Sequence, residues 1–436
     1  MVKRQVLLAF VMLTAAAVAA QNSERKLTVQ ELFGFVETGN VQLQAQKQGE
    51  VVASQGIEVA KRQRLPEINS SLSASYIGNV VLTDREFGDV HGYSSPHFGN
   101  SLAVEAQQVV YAGGAVDAGI RMAELNYAKS TATTASVREQ QRFLAIGIYL
   151  DLLTTDQRLK VYDENIRLTQ ALIDNIREKH RQGMVLLNDV TRYELQMEQL
   201  KLGREKMSNQ RAIQNYQLCQ MLGLPTEEHL TPDEQAADIS PSELAMEVWQ
   251  DKSAAHSPLL QQSAIDIEMA KNHEKLMRSE LLPKISIMAV DNFNGPITFE
   301  LPPVDKNLNI WYLGIGLRCS ISALFKSNKK VHQARQATHL QELTHQSKKE
   351  QLDQQMQQAW TLYRQAHTEL ETQQKSVQLA AQNYDVMRER YLNQLALVTD
   401  MVDASNLKLN AEIDEAQARI QIAFAYYRMK YISGTL

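Results

Sequence analysis

The chain has 436 residues, 44% of them hydrophobic, a formal net charge of −5 and only two cysteines. The length suggests about three domains, and the acidic balance does not suggest a basic nucleic-acid-binding surface. Cys219 and Cys319 are too few for a disulfide framework and are expected to be free, small apolar residues.

Lys3 and Arg4 precede an apolar run from Val6 to Ala20 that ends in small residues. That is the order of a secretory signal peptide over 1–20, cleaved before Gln21, and its removal takes the formal charge to −7. A run of about 15 apolar residues is too short for a membrane anchor. Beyond it no run reaches 18 apolar residues. A membrane crossing by this chain therefore requires a closed β-barrel, because only helices and barrels satisfy every backbone group in lipid.

The segment EINSSLSASY (67–76) alternates Ile68, Leu72, Ala74 and Tyr76 with Glu67, Asn69, Ser71, Ser73 and Ser75. This period of two predicts a strand at about 66–78 with one apolar and one polar face. NSLAVEAQ (100–107) is a weaker example within a strand at about 98–110, and YAGG (111–114) supplies turn glycines before a helix at about 112–181. QGMVLLNDV (182–190) interrupts it, and a second helix at about 184–223 ends in MLGL. Pro225, Pro232 and Pro241 mark a mixed linker at 225–257.

The second half repeats the plan. KISIMAVDNF (284–293) predicts a strand at about 283–293, and WYLGIGLRCSI (311–321) predicts one at about 309–322. Two long helices are expected at about 326–393 and 396–432, separated by the break before VTDMVDASN (398–406). No proline falls between 97 and 224 or after 303, as helices this long require. From Leu352 to Tyr391 the positions 352, 356, 359, 363, 366, 370, 373, 377, 380, 384, 387 and 391 hold one polar residue, Gln373. That 4-3 spacing is a coiled-coil seam.

Four pairs of segments correspond between the halves at offsets of 217, 214, 211 and 211: 64–79 with 281–295, 109–116 with 323–330, 179–196 with 389–406, and 221–224 with 432–435. The chain reads as two structural repeats, 21–240 and 241–436, overlapping the linker at their junction. Four strands cannot enclose a barrel, and open edges are not tolerated in lipid. Three chains would supply twelve strands, an even number in the range of bacterial barrels. A helix over 112–181 would be roughly 100 Å long and would project away from the membrane.

On these duplicated strand units, YAGG, the QGMVLLNDV break, the VTDMVDA segment and the SGTL ending, the chain resembles the TolC-like outer membrane efflux proteins. The resemblance implies a mainly α fold with membrane β: a homotrimer forming a 12-stranded β-barrel in the outer membrane and a long periplasmic α-helical barrel. It implies an exit duct, not an enzyme, for tripartite efflux or type I secretion. Its partners would be a periplasmic adaptor, an inner-membrane transporter and outer-membrane lipid, with no cofactor.

The resemblance also implies roles for residues. Asp400 and Asp403 match the aspartate ring that narrows the periplasmic end. Tyr391 and Asp189 match one closed-state latch. A second latch departs from the pattern, with Ala396 in place of an arginine and Asn188 in place of a threonine. Gly183 matches an adaptor-docking glycine, and its second-half counterpart is Gln394. Residue by residue, other roles compete for the Asp pair. Asp400 can cap a helix that starts after Thr399, whereas Asp403 lies too deep to do so. A catalytic pair would need a cleft and separated pKa values, and the ten histidines show no i, i+4 ligand spacing. A periplasmic coiled-coil adaptor is the competing functional class; it would carry one helical hairpin rather than two complete units.

Overall fold

The computed structural model describes residues 24–239, 245–393 and 395–436; the signal peptide expected at 1–20 lies outside them. In chain order the elements are β1 (Glu24–Leu27), α1 (Val29–Gly39), α2 (Val41–Arg62), β2 (Glu67–Tyr76), β3 (Val80–Leu82), β4 (His91–Tyr93), β5 (Phe98–Tyr111), α3 (Ala115–Arg181) and α4 (Leu187–Leu222). They are followed by β6 (His229–Pro232) and a 3-10 turn (Glu234–Ala237), and the second half then contributes α5 (Met246–His256), α6 (Pro258–Ser279), β7 (Lys284–Gly295), β8 (Leu308–Arg318), α7 (Ile321–Leu392) and α8 (Val398–Ser433).

Helix lengths repeat between the halves. α1 and α5 have 11 residues each, α2 and α6 have 22, and α4 and α8 have 36. The ends of α4 and α8 are built alike. Gly223 and Gly434, both at φ 68°, hold the left-handed conformation that a side chain disfavours. Leu224 N donates to Cys219 O and Thr435 N to Lys430 O, both at 2.9 Å. A Cβ on Gly223 would stand 2.8 Å from Gly39 O, and one on Gly434 would stand 2.6 Å from His256 O. Each helix therefore ends where it meets the C-terminus of a short helix, with no room for a side chain.

The chain forms two compact units, and each draws on both halves. One contains Gly49–Thr131 and Gln262–Gln346; the other contains Ala132–Gln261, Ser347–Leu436 and the chain up to Gln48. Duplication in sequence is thus not division into two independent bodies.

The first unit carries an antiparallel four-stranded sheet in the order β2-β5-β7-β8. Ile68 pairs with Ala106, Leu72 with Leu102 and Tyr76 with Phe98; Ala289 pairs with Leu313, Ile287 with Ile315 and Ile285 with Leu317. Directly paired residues share a face, so this register gathers the apolar members onto one side. Leu72, Leu313 and Ile315 are 71–79% exposed there. Glu67, Asn69, Ser71, Ser73 and Ser75 occupy the other face beside Glu105 and Gln107. A small hairpin, β3–β4, lies between β2 and β5.

Several boundaries differ from the sequence reading. The alternation that suggested a strand to residue 322 ends at Arg318, because Ala323 N bonds Ser320 O at 3.0 Å and the chain turns into α7 at Ile321. α4 and α8 begin at Leu187 and Val398, later than 184 and 396, after the loops that terminate α3 and α7.

In the second unit, β1 and β6 form a parallel pair. Tyr149 Oη ties it to α3, donating to Leu27 O and accepting from Asp233 N, each at 2.7 Å. Leu27, Leu32, Ile146, Leu218 and Leu222 are buried around it. The seam of α7 is buried too: Leu352, Met356, Ala359, Tyr363 and Ala366 pack against Ile422, Ala425 and Met429 of α8. Cys219 is buried and Cys319 exposed, and both are free.

Candidate channel gate at the helix breaks

The sequence-assigned site residues that are described all lie in the second unit, around the breaks between α3 and α4 and between α7 and α8. At the first break Gly183 sits at φ 76°, with its N–H on His180 O and Met184 N–H on Lys179 O, both at 2.9 Å. His180 Nδ1 lies 2.9 Å from Val185 O. A positive φ at this exposed position is what glycine permits without strain. At the second break Leu395 N donates to Arg390 O at 2.8 Å. The counterpart position, Gln394, lies outside the described residues.

Asp400 and Asp403 stand three apart on α8, which places them on one face. Both are exposed, while Val398, Met401 and Ala404 are buried on the other side. Leu397, not Asp400, is the N-cap; Asp400 lies in the first turn, and its Oδ2 accepts from Leu397 N at 3.1 Å. The capping alternative is corrected to that extent: Asp400 helps satisfy the helix start from the third helical position and keeps its charge outward. The face continues through exposed Leu407, Asn410 and Asp414. The 3-4-3-4 spacing of this exposed row is present in the sequence. The equivalent row of α4 begins Asp189, Arg192, so the charges cancel there.

Behind the acidic face is a tyrosine cluster. Tyr193, Tyr384 and Tyr391 are buried with Ile173, Ile176, Val190, Met197, Val398 and Met401. The rings of Tyr193 and Tyr391 are 6.0 Å apart and tilted by 53°. Burial, reinforced by the negative charge of Asp189, pushes the Tyr391 hydroxyl up to about 12. The Tyr193 hydroxyl is raised for the same first reason, then by Tyr391, Tyr384 and Asp189. Neither hydroxyl has a hydrogen-bond partner among the described residues. Asp189 thus acts on Tyr391 through its field, and the link implied by the resemblance is not a hydrogen bond within this chain. Asn188 is exposed on the first turn of α4. Ala396 is half-buried against the tyrosine cluster.

Two further contacts join the halves here, and neither was legible from the resemblance. Lys179 Nζ donates to Leu392 O at 2.8 Å, and Gln196 Nε2 donates to Asn406 Oδ1 at 2.6 Å. No group of three metal-ligating side chains is found among the described residues.

The fold is similar to that of several solved outer-membrane proteins. Solved structures of similar fold include the outer-membrane channel OprN (TM-score 0.76, 14% identity, 94% of this chain and 90% of that one). The channel-forming protein CusC gives 0.77 at 14% identity, covering 93% and 91%. The outer membrane protein VceC of Vibrio cholerae gives 0.74 at 12%, covering 93% and 96%. No curated protein matches the sequence. Residues 249–435 match the outer membrane efflux protein family. The chain is similar to that family over its second half, and it shares the fold of these channels over nearly its whole length.

Proposed function

We propose that three copies of this chain assemble as the outer-membrane exit duct of a tripartite efflux or type I secretion system. The observation that carries this reading is the sheet. Its four strands leave β2 and β8 as open edges and expose one apolar face. Such a sheet is unstable alone in lipid, where unpaired edge groups have no water to bond. Three sheets joined edge to edge close into twelve strands, with lipid against the apolar face and solvent against the serine-rich face.

In this assembly Asp400 and Asp403 of three copies bring six carboxylates around one axis at the periplasmic end. They form a gate that favours cations and repels anions. Tyr391, with Asp189 and Asn188 across the pair of breaks, latches the closed state. Gly183 and Gln394 mark the surfaces for a periplasmic adaptor, and an inner-membrane transporter supplies the energy. Conduction through the duct is passive.

The test is membrane fractionation followed by planar-bilayer recording of the purified protein. Outer-membrane enrichment with discrete conductance steps is expected. A soluble protein that never conducts would refute the duct.

A further inference from the structure

At the base of the sheet, where β7 and β8 meet α7, lies a cavity of ≈ 380 Å³. Four cations line it: Lys284, Arg318, Lys326 and Lys330. The one acid, Glu280, is already engaged, taking Lys330 Nζ at 2.8 Å and Ser327 Oγ at 3.2 Å. Lys284, Arg318 and Lys326 form no ion pair among the described residues. Lys284 and Arg318 are direct partners in the β7–β8 ladder, and like charges placed so are destabilising. Ser320 and Ser322 add hydroxyls. The N-terminal end of α7 adds the positive pole of its dipole.

The equivalent junction in the first half has a cavity too, of ≈ 260 Å³. There the charges balance: Arg64 pairs with Asp117 at 2.7 Å, and the residue corresponding to Lys284 is Glu67. The repeat thus builds one neutral cavity and one with three surplus cations. An arrangement that holds like charges together in one copy only is stabilised when an anion fills it.

We infer that this cavity binds a phosphate-type anion. The guanidinium of Arg318 offers a fork that matches two oxygens of one phosphate. Lys284 and Lys326 supply point charges, and the two serines donate to the remaining oxygens. The phosphate can belong to a free solute or to the headgroup of an anionic lipid. The cavity lies within one chain, so the inference does not depend on the gate or on trimer closure.

The experiment uses the full-length protein, purified in a maltoside detergent, and the variant Lys284→Gln/Arg318→Gln. Lys375→Gln, an exposed change elsewhere on α7, is the control. Inorganic pyrophosphate is titrated by calorimetry, and native mass spectrometry measures retention of phosphatidylglycerol over phosphatidylcholine. Circular dichroism checks that each variant is folded, and Lys326→Gln serves as a milder second variant. The variant should bind pyrophosphate at least about tenfold more weakly than the parent and the control. That loss without selective lipid retention assigns the site to free phosphates. Selective phosphatidylglycerol retention, lost in the variant, assigns it to lipid headgroups. Equal binding by parent and variant in both measurements would overturn the inference, even for a protein that conducts normally.

Discussion

Lys179 donates to the carbonyl of Leu392 at 2.8 Å, so the last turn of α3 closes the last turn of α7. The carbonyl is one of the orphan acceptors at a helix C-terminus, where a cation is favoured by both hydrogen bond and dipole. This contact joins the two halves beside the breaks. In the proposed gate it takes over the fastening role of the link lost at Ala396. Replacing Lys179 by Met removes the donor and keeps the stem. A hydrogen bond to a charged group contributes about 1.5–3 kcal/mol, so the open-to-closed ratio in bilayer recordings should rise about tenfold or more. An unchanged ratio would remove Lys179 from the latch.

Tyr391 offers a sharper distinction. Its ring is buried against Tyr193, but its hydroxyl is unpartnered within the chain. Tyr391→Ala should loosen the closed state, because truncating a buried aromatic costs about 3–5 kcal/mol. Tyr391→Phe should leave thermal stability unchanged or slightly raised, since it removes an unsatisfied buried polar atom. If Tyr391→Phe opens the channel as strongly as Tyr391→Ala, the latch is a hydrogen bond to Asp189 formed in the assembly, not ring packing.

The carboxylates of α8 can be neutralised without disturbing the helix start. Asp400→Asn keeps an oxygen to accept from Leu397 N. Asp400→Asn with Asp403→Asn should therefore preserve assembly while lowering the cation-to-anion permeability ratio, measured as a reversal-potential shift toward zero. Asp400→Ala should in addition cost about 1 kcal/mol from the lost contact at the helix start. Selectivity equal to the parent would take both residues out of the pore.

The two faces of the sheet should respond oppositely to charge. Leu313→Arg places a cation on the exposed apolar face, at a depth-dependent cost of about 2–4 kcal/mol in lipid. Ser73→Arg, on the polar face, should be tolerated. Yields of folded protein from outer membranes check this, and equal yields would reverse or abolish the facing.

The features that repeat over many residues were legible in the sequence. The 4-3 seam from Leu352 reappears as the buried core of α7 because each burial there is repeated turn after turn. The alternation at 67–76 reappears as β2. Short or mutually dependent features were not legible. β1 and β6 have four residues each, too few to show a period, and Tyr149 Oη ties them to α3 by bonding Leu27 O of β1 and Asp233 N, the residue after β6. The end of β8 is not legible in the sequence, because Cys319 and Ile321 continue the alternation across a turn that only backbone bonding reveals. At the proposed gate the two aspartates three apart and the glycine of the QGM break can be read from the sequence alone. The Lys179–Leu392 and Gln196–Asn406 contacts were not, since both join residues more than 200 positions apart.

In the proposed assembly this sheet is a third of a barrel. Native mass spectrometry of protein extracted from outer membranes tests it most directly. Three chains per particle are expected, stable in detergent and dissociating only with loss of β-structure. A particle of one or two chains that keeps its β-structure would contradict it.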